Sequence, residues 1–224
     1  MNLLKRIIIF SCLFSYHLAA ETFSLEVVAV EYPPFTTLNN KSGGIAFELL
    51  ESRLANSHVT ASPLFLPPAR AARYLSEGPW CASFYPIRNT NDYKSFALSQ
   101  EKVKIGLVRL KQQGDFAWTA LEQLKGQTVA LLRTSDNSTF LQEFENAGIE
   151  VAFAESPQAI VMMVLLSRVD LGLADSWSFE SLEAENKAKL QFSTTSLFET
   201  PITLHVHDRC ITQYQKAAET NLIN

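Results

Sequence analysis

The chain has 224 residues, of which 47% are hydrophobic and 19% charged, and its formal net charge at pH 7 is −4. That balance supplies enough apolar side chain for a sizeable core and lacks the basic block that a nucleic-acid-binding surface requires. No apolar run reaches the ~18 residues that would mark a membrane span.

The first residues carry a processing signal. Lys5 and Arg6, an apolar run over residues 7–14 and the small pair Ala19-Ala20 read as a secretory signal peptide over residues 1–20, cleaved near Ala20. Its removal takes away two positive charges and no acidic residue, so the net charge moves from −4 to −6. The mature chain keeps Cys81 and Cys210. An exported protein can join two such thiols in a disulfide, and two buried free thiols are the alternative.

Residues 25–30 are β-branched and apolar and predict a buried strand. It stops at Tyr32-Pro33-Pro34-Phe35, because neither proline can donate to a strand ladder. Residues 36–44 form a polar turn segment. Apolar residues at 45, 46, 49, 50 and 54 predict an amphipathic helix over 45–54. A strand over 59–66 ends at Pro67-Pro68, and a short helix over 69–75 is stopped by Gly78-Pro79. Residues 80–85 predict an apolar strand, and residues 102–110 a longer one.

A helical turn over 121–124 leads to a strand over 128–132. Ser135 or Asp136 can cap a helix over 138–147, which Gly148 closes. A strand over 149–153 follows. Ser156 then caps, and Pro157 opens, a helix that ends at Ser167. The strand over 169–174 delivers a carboxylate, Asp175, at its far end, where open α/β sheets place ligands. Ile202, Leu204 and Val206 alternate with Thr203, His205 and His207, the pattern of a half-buried strand.

Strands alternating with helices imply an α/β protein with mostly parallel sheets flanked by helices. Residues 70–85 and 160–177 each run helix, tight turn, apolar strand. Two such halves of roughly 100 residues with a crevice between them suit hinge closure on a ligand.

Several segments, in order, resemble the bacterial extracellular solute-binding proteins of family 3, the periplasmic polar-amino-acid-binding type. Val30-Glu31-Tyr32-Pro33-Pro34-Phe35 resembles the family's first strand and its PPF turn, and residues 44–50 its first helix. Leu121-Glu122-Gln123-Leu124-Lys125-Gly126 resembles the opening of its second lobe, and Ser167-Arg168-Val169-Asp170 with Asp175 its "GrvDavvvD" segment. Pro68-Ala69-Arg70-Ala71 resembles a "P-x-x-R-A" variant of small members. The resemblance implies the two-lobed periplasmic binding protein type II fold. Residues 22–108 plus 200–224 would form lobe 1 and residues 109–199 lobe 2, with crossover strands over 102–110 and 201–206.

The resemblance also implies a site. Asp175 would hold a ligand ammonium, and Asp170 would hold the turn. Arg88, or Arg70 from the "P-x-x-R-A" element, would grip a ligand carboxylate. Thr134 and Ser135, in the turn before the second-lobe helix, would present backbone N–H groups. Tyr32, Phe84 and Trp177 are aromatic candidates for the cleft, with core packing as the alternative. Cys81 and Ala46 stand where the family carries acids, Thr134 where it carries glycine, and the chain ends before the family's usual final helix.

The expected function is a periplasmic, monomeric solute-binding protein, not an enzyme, closing on a small polar ligand that is amino-acid-like or anionic. An inner-membrane ABC permease or a sensor protein would be its partner. A cyclohexadienyl dehydratase-like enzyme using Glu48, Glu180 or Asp175 is one alternative, and a degenerate non-binding relative is another. His205 and His207 share a strand face without a third ligand nearby in sequence, so neither a metal nor another cofactor is expected.

Overall fold

A computed structural model describes residues 22–87, 91–133 and 139–220. Strand β1 (Phe23–Ala29) leads through the proline turn to helix α1 (Ile45–Leu54), strand β2 (Val59–Phe65), helix α2 (Pro68–Glu77) and the two-residue strand β3 (Ala82–Ser83). The long strand β4 (Tyr93–Leu110) then carries the chain to β5 (Thr128–Leu132), α3 (Thr139–Asn146), β6 (Glu150–Ala154), α4 (Pro157–Leu165) and β7 (Leu171–Asp175). Two short helices, α5 (Ser176–Glu180) and α6 (Ala184–Lys189), precede β8 (Leu190–Phe192). Strand β9 (Phe198–His207) runs back, and α7 (Ile211–Thr220) follows it.

The strands are hydrogen-bonded in the order β2-β1-β3-β9-β4-β7-β5-β6, with β8 also on β4. Parallel pairs sit toward both ends (β1 with β2, β5 with β6), and antiparallel pairing is confined to the middle, around β4 and β9. The fold is a two-lobed α/β architecture whose halves share one continuous sheet, joined through the crossing strands β4 and β9. Strand β4 makes the join. Its residues up to Ile105 pair with β9, and from Ile105 onward it pairs with β7, passing a register shift between Ala97 and Lys102.

Strand burial on both faces gives each half its core. Leu25, Val27 and Ala29 point toward α1 and α7, whereas Val28 and Val30 point toward α2 and Trp80. In the second half, Val129 and Leu131 pack under α3 with Phe116 and Trp118, and Ala130 packs under α4. That period of two is what a strand between helical layers must show. Gly172 permits the close approach of α4 to β7, since a Cβ there would lie 2.6 Å from Ile160.

Two expectations are corrected. The strand over 80–85 shrinks to Ala82–Ser83, because the Ser83 hydroxyl both donates to the Tyr85 carbonyl (2.8 Å) and accepts from the Tyr85 amide (2.9 Å), curling the chain out of the ladder. The strand over 102–110 begins nine residues earlier, at Tyr93, because residues 93–97 also pair with β9; the polar residues Ser99-Gln100-Glu101 fall in the register shift between the two paired stretches. Beyond β9, α7 buries Tyr214 and Ala217 against β1 and β9, with Tyr214 against the Phe96 ring at 4.7 Å.

Cys81 and Cys210, 129 positions apart in sequence, form a disulfide that ties the start of α7 to the residue before β3, with a Cα–Cα separation of 5.5 Å. The bond restricts the unfolded chain most strongly when the loop it closes is long. Reduction, or paired Cys81→Ser and Cys210→Ser substitution, is expected to lower stability by about 2–5 kcal/mol. Calorimetric unfolding with and without reductant checks this, and coincident transitions would contradict it.

Candidate functional site

The crevice between the halves is built on local chain chemistry. The Tyr32 amide donates to the Thr36 carbonyl (2.7 Å), and the Phe35 amide to the Tyr32 carbonyl (3.0 Å), closing the proline turn. The Thr36 hydroxyl reaches back to the Val30 carbonyl at 2.7 Å. The first free amides of α1, Ile45 and Ala46, donate to the Pro34 and Phe35 carbonyls. Gly44 allows this docking: it has φ +101°, and a Cβ there would lie 2.5 Å from the Phe35 carbonyl oxygen. The turn therefore holds Tyr32 and Phe35 over the mouth of the crevice with little freedom.

From the other side, β7 is buried and ends at Asp175, whose side chain is 1% exposed. One carboxylate oxygen, Oδ1, caps α5 by accepting from the Ser178 amide at 2.8 Å. The other, Oδ2, has no hydrogen-bond partner. The Tyr32 phenol lies beside the carboxylate without completing a bond of proper geometry to it. Burial first, then the charge and accepting oxygens of Asp175, hold the Tyr32 phenol well above its ordinary pKa, so it stays protonated.

Asp175 borders a cavity of about 610 Å³, within the range of small-molecule sites, and a smaller one of about 320 Å³ behind the proline turn. The walls of the larger cavity are mostly apolar. Phe35, Phe84, Phe140 and Phe198 supply ring faces, and Ile105 and Ile202 come from the crossing strands. Its polar groups include the Thr36, Thr200 and Thr203 side chains, the two phenols of Tyr32 and Tyr85, and His205. Burial lowers the His205 pKa from 6.5 to about 4, so the ring is neutral near pH 7. Its Nδ1 shares a hydrogen bond with the Ser95 hydroxyl at 2.8 Å. Among the described lining residues, Asp175 thus carries the only formal charge.

Of the residues singled out by sequence, Asp175, Tyr32 and Phe84 come together in the cavity wall. Trp177 stands at the rim, stacked on Phe35 with ring centroids 5.6 Å apart. Arg70 does not line the cavity: the helical period of α2 turns Ala71 and Leu75 inward and leaves Arg70 exposed. Arg88, Thr134 and Ser135 lie outside the described residues. Sequence reasoning missed Phe140 and Phe198, whose rings meet edge to face at 5.9 Å across the second-half wall. Neither lies in a motif, and only the tertiary pairing of α3 with β9 reveals them. His205, for which the sequence predicts only a place on a strand face, is a further wall residue. Among the described residues no cluster of three His, Cys, Asp or Glu could hold a metal ion, and no helix is long and apolar enough to cross a membrane.

The architecture matches solved structures closely enough to settle the fold. ArgBP from T. maritima in its holo form superposes with a TM-score of 0.65 at 16% identity, covering 88% of this chain and 88% of that one. This chain has the two-lobed periplasmic binding fold. The GluR0 ligand-binding core from Nostoc punctiforme, in complex with (L)-glutamate, matches at TM-score 0.64 and 14% identity, covering 88% of this chain and 92% of that one. An arginine 3rd transport system periplasmic binding protein from Legionella pneumophila matches at 0.66 and 14% identity, covering 89% and 92%. No family model and no curated protein matches the sequence. These similar structures are binding proteins by their descriptions.

Two outcomes follow from this geometry. Asn caps a helix as well as Asp does and removes the buried charge. Ligand-free Asp175→Asn should therefore unfold at or above the parent temperature, whereas Asp175→Ala loses the cap and about 1 kcal/mol. Equal losses in both variants, by scanning calorimetry, would make the carboxylate a structural fixture instead. The His205 pKa is depressed on folding, so the unfolded chain takes up a proton near pH 6.5 that the folded protein refuses until about pH 4. The corresponding stability is complete above pH 6.5 and is lost as pH falls toward 4. His205→Asn should flatten that part of the stability–pH curve relative to the parent, as read from urea midpoints at stepped pH, and an unchanged slope would contradict the assignment.

Proposed function

We propose that this protein is a solute-binding protein whose two lobes close on a small ligand carrying a positive charge. Residues 22–108 with 200–224 make one lobe and residues 109–199 the other. The observation that carries the reading is the Asp175 carboxylate, buried between the lobes with one oxygen unpaired. A buried anion left half-satisfied is a standing cost of folding that a cationic ligand group removes.

The contacts across the crevice support closure. The Ser178 hydroxyl donates to the Pro33 carbonyl at 3.0 Å, Phe35 and Trp177 stack, and the Tyr85 hydroxyl reaches the Arg133 carbonyl at 3.4 Å. Trp177 also packs against the buried cluster of Ala46, Val103 and Ile202. Among the described residues these contacts lie apart from the main core of either half, so opening would leave both cores intact. A ligand bridging the lobes would tip that balance toward the closed form by its differential affinity alone. Export through residues 1–20 would place the protein in the periplasm, as a monomer that hands its solute to an ABC permease or presents the closed form to a sensor. The anionic ligand considered from sequence is disfavoured, because the described wall offers it only a negative charge.

The test is thermal unfolding and calorimetric titration across a panel of amino acids, amines and small acids, with X-ray scattering on any hit. At a hundredfold excess over Kd, a ligand adds about 2.7 kcal/mol. For a chain of this size that raises Tm by roughly 5–10 °C. Binding should also reduce the radius of gyration and fail in Asp175→Asn. A folded protein that no member of the panel stabilises would sink the reading.

A further inference from the structure

We infer that Ser176-Trp177-Ser178, the three residues that follow Asp175, form a clasp that holds the two lobes together before a ligand bridges them. This rests on the reading that the lobes close, and it goes further by assigning the closed state to one short segment tied to the ligand site. The juxtaposition that carries it is three successive side chains just beyond a buried carboxylate, each with its partner on the first half or on a crossing strand.

The segment starts from a fixed base. Asp175 pairs with Ile105 in the ladder between β7 and β4. The Ser176 hydroxyl continues onto the same strand, accepting from the Lys104 amide at 3.3 Å. The Trp177 ring then stacks on Phe35 and packs against Ala46, Val103 and Ile202. Ser178 completes the clasp by donating its hydroxyl to the Pro33 carbonyl at 3.0 Å. The surface that receives Trp177 and Ser178 is the proline turn, which its own hydrogen bonds and the docking of α1 keep in shape. Each of these contacts joins one protein group to another, so the clasp acts in the free protein.

Ser178 also connects the clasp to the site. Its amide donates to Asp175 Oδ1 at 2.8 Å while its hydroxyl holds Pro33. A shift of the carboxylate toward a ligand cation therefore moves the residue that holds the other lobe. The two parts of the clasp differ in strength. Loss of one neutral hydrogen bond changes a two-state ratio by about two- to tenfold. Loss of a stacked, partly buried tryptophan changes it by at least about tenfold. Trp177 and Ser176 do not line the larger cavity, so they act on the lobes and not on the solute.

The experiment uses the mature, disulfide-intact protein, dialysed and shown by native mass spectrometry to carry no solute. Small-angle X-ray scattering compares the parent with Ser178→Ala, Trp177→Ala and the double variant. Ser178→Ala removes only the hydroxyl and keeps the backbone amide that caps α5 against Asp175. Acrylamide quenching reads Trp177 directly in the parent and in Ser178→Ala. Trp80 and Trp118, 2% and 7% exposed, form the buried background, which Trp177→Phe measures. The expected result is a compact parent whose scattering fits the closed arrangement. Ser178→Ala should shift its closed-to-open ratio by about two- to tenfold toward open, with greater quenching of Trp177. The radius of gyration should rise further in Trp177→Ala and most in the double variant, all with the parent's far-UV circular dichroism.

Variants that keep the parent's scattering curve overturn the clasp, and so does a solute-free parent already as extended as the double variant. Should Trp177→Ala lose its circular dichroism, Ser178→Ala decides by the same two readouts. No ligand enters this test, so its failure leaves the solute-binding reading to the panel above.

Discussion

A carboxylate that is buried but only half paired organises this structure. Asp175 is carried inward because it ends β7, a strand whose Leu171 and Gly172 are enclosed by helices and neighbouring strands. Its Oδ1 earns its position as the cap of α5, and its Oδ2 is left open. An unsatisfied buried polar atom costs about 1–3 kcal/mol, more when it is charged. A chain retains such a group only where the surrounding burial outweighs it, and such violations of local economy concentrate where a protein meets its ligand.

The strength of the fold is distributed to suit that site. Each half has its own two-faced core, and the first half is further secured by the Cys81–Cys210 bond beside α7. Between the halves run β4 and β9, with a register shift at Ala97–Lys102 where regular pairing is interrupted. Among the described residues, the other contacts across the crevice are side-chain stacks, single hydrogen bonds and the packing of Trp177 on Ala46, Val103 and Ile202. The proposed closure would therefore displace the halves relative to one another rather than deform the closely packed layers within either. The proline turn and Gly44 suit that division: they hold Tyr32 and Phe35 on one lip, opposite Asp175 on the other.

The resemblance points to a zwitterion gripped at both ends. The described wall holds one of those ends, a negative group among four phenylalanine rings with a neutral histidine, and the candidates for the other, Arg88, Thr134 and Ser135, lie outside the described residues. Of the residues drawn from motifs, those adjoining a strand end, Tyr32 and Asp175, fall in the cavity. Arg70 does not, because a residue's place on a helix face follows the helical period and not its membership of a short motif. Phe140 and Phe198 were invisible beforehand, since they are far apart in sequence and meet only when α3 lies across the start of β9.

Local patterning was enough to determine the run of elements: helix α1, strand β5 and the turn at Leu121–Leu124 coincide with their predicted bounds, because hydrophobic period, proline and capping residues act over a few neighbours. The same patterning announced a carboxylate at the end of β7. Tertiary structure alone decided that β4 would extend back to Tyr93, that Cys81 and Cys210 would meet across 129 residues, and that the described crevice wall would be mostly apolar. Those outcomes depend on partners distant in sequence. Pairing, burial and desolvation are set by where the folded chain brings such partners together, and no window of neighbouring residues contains that information.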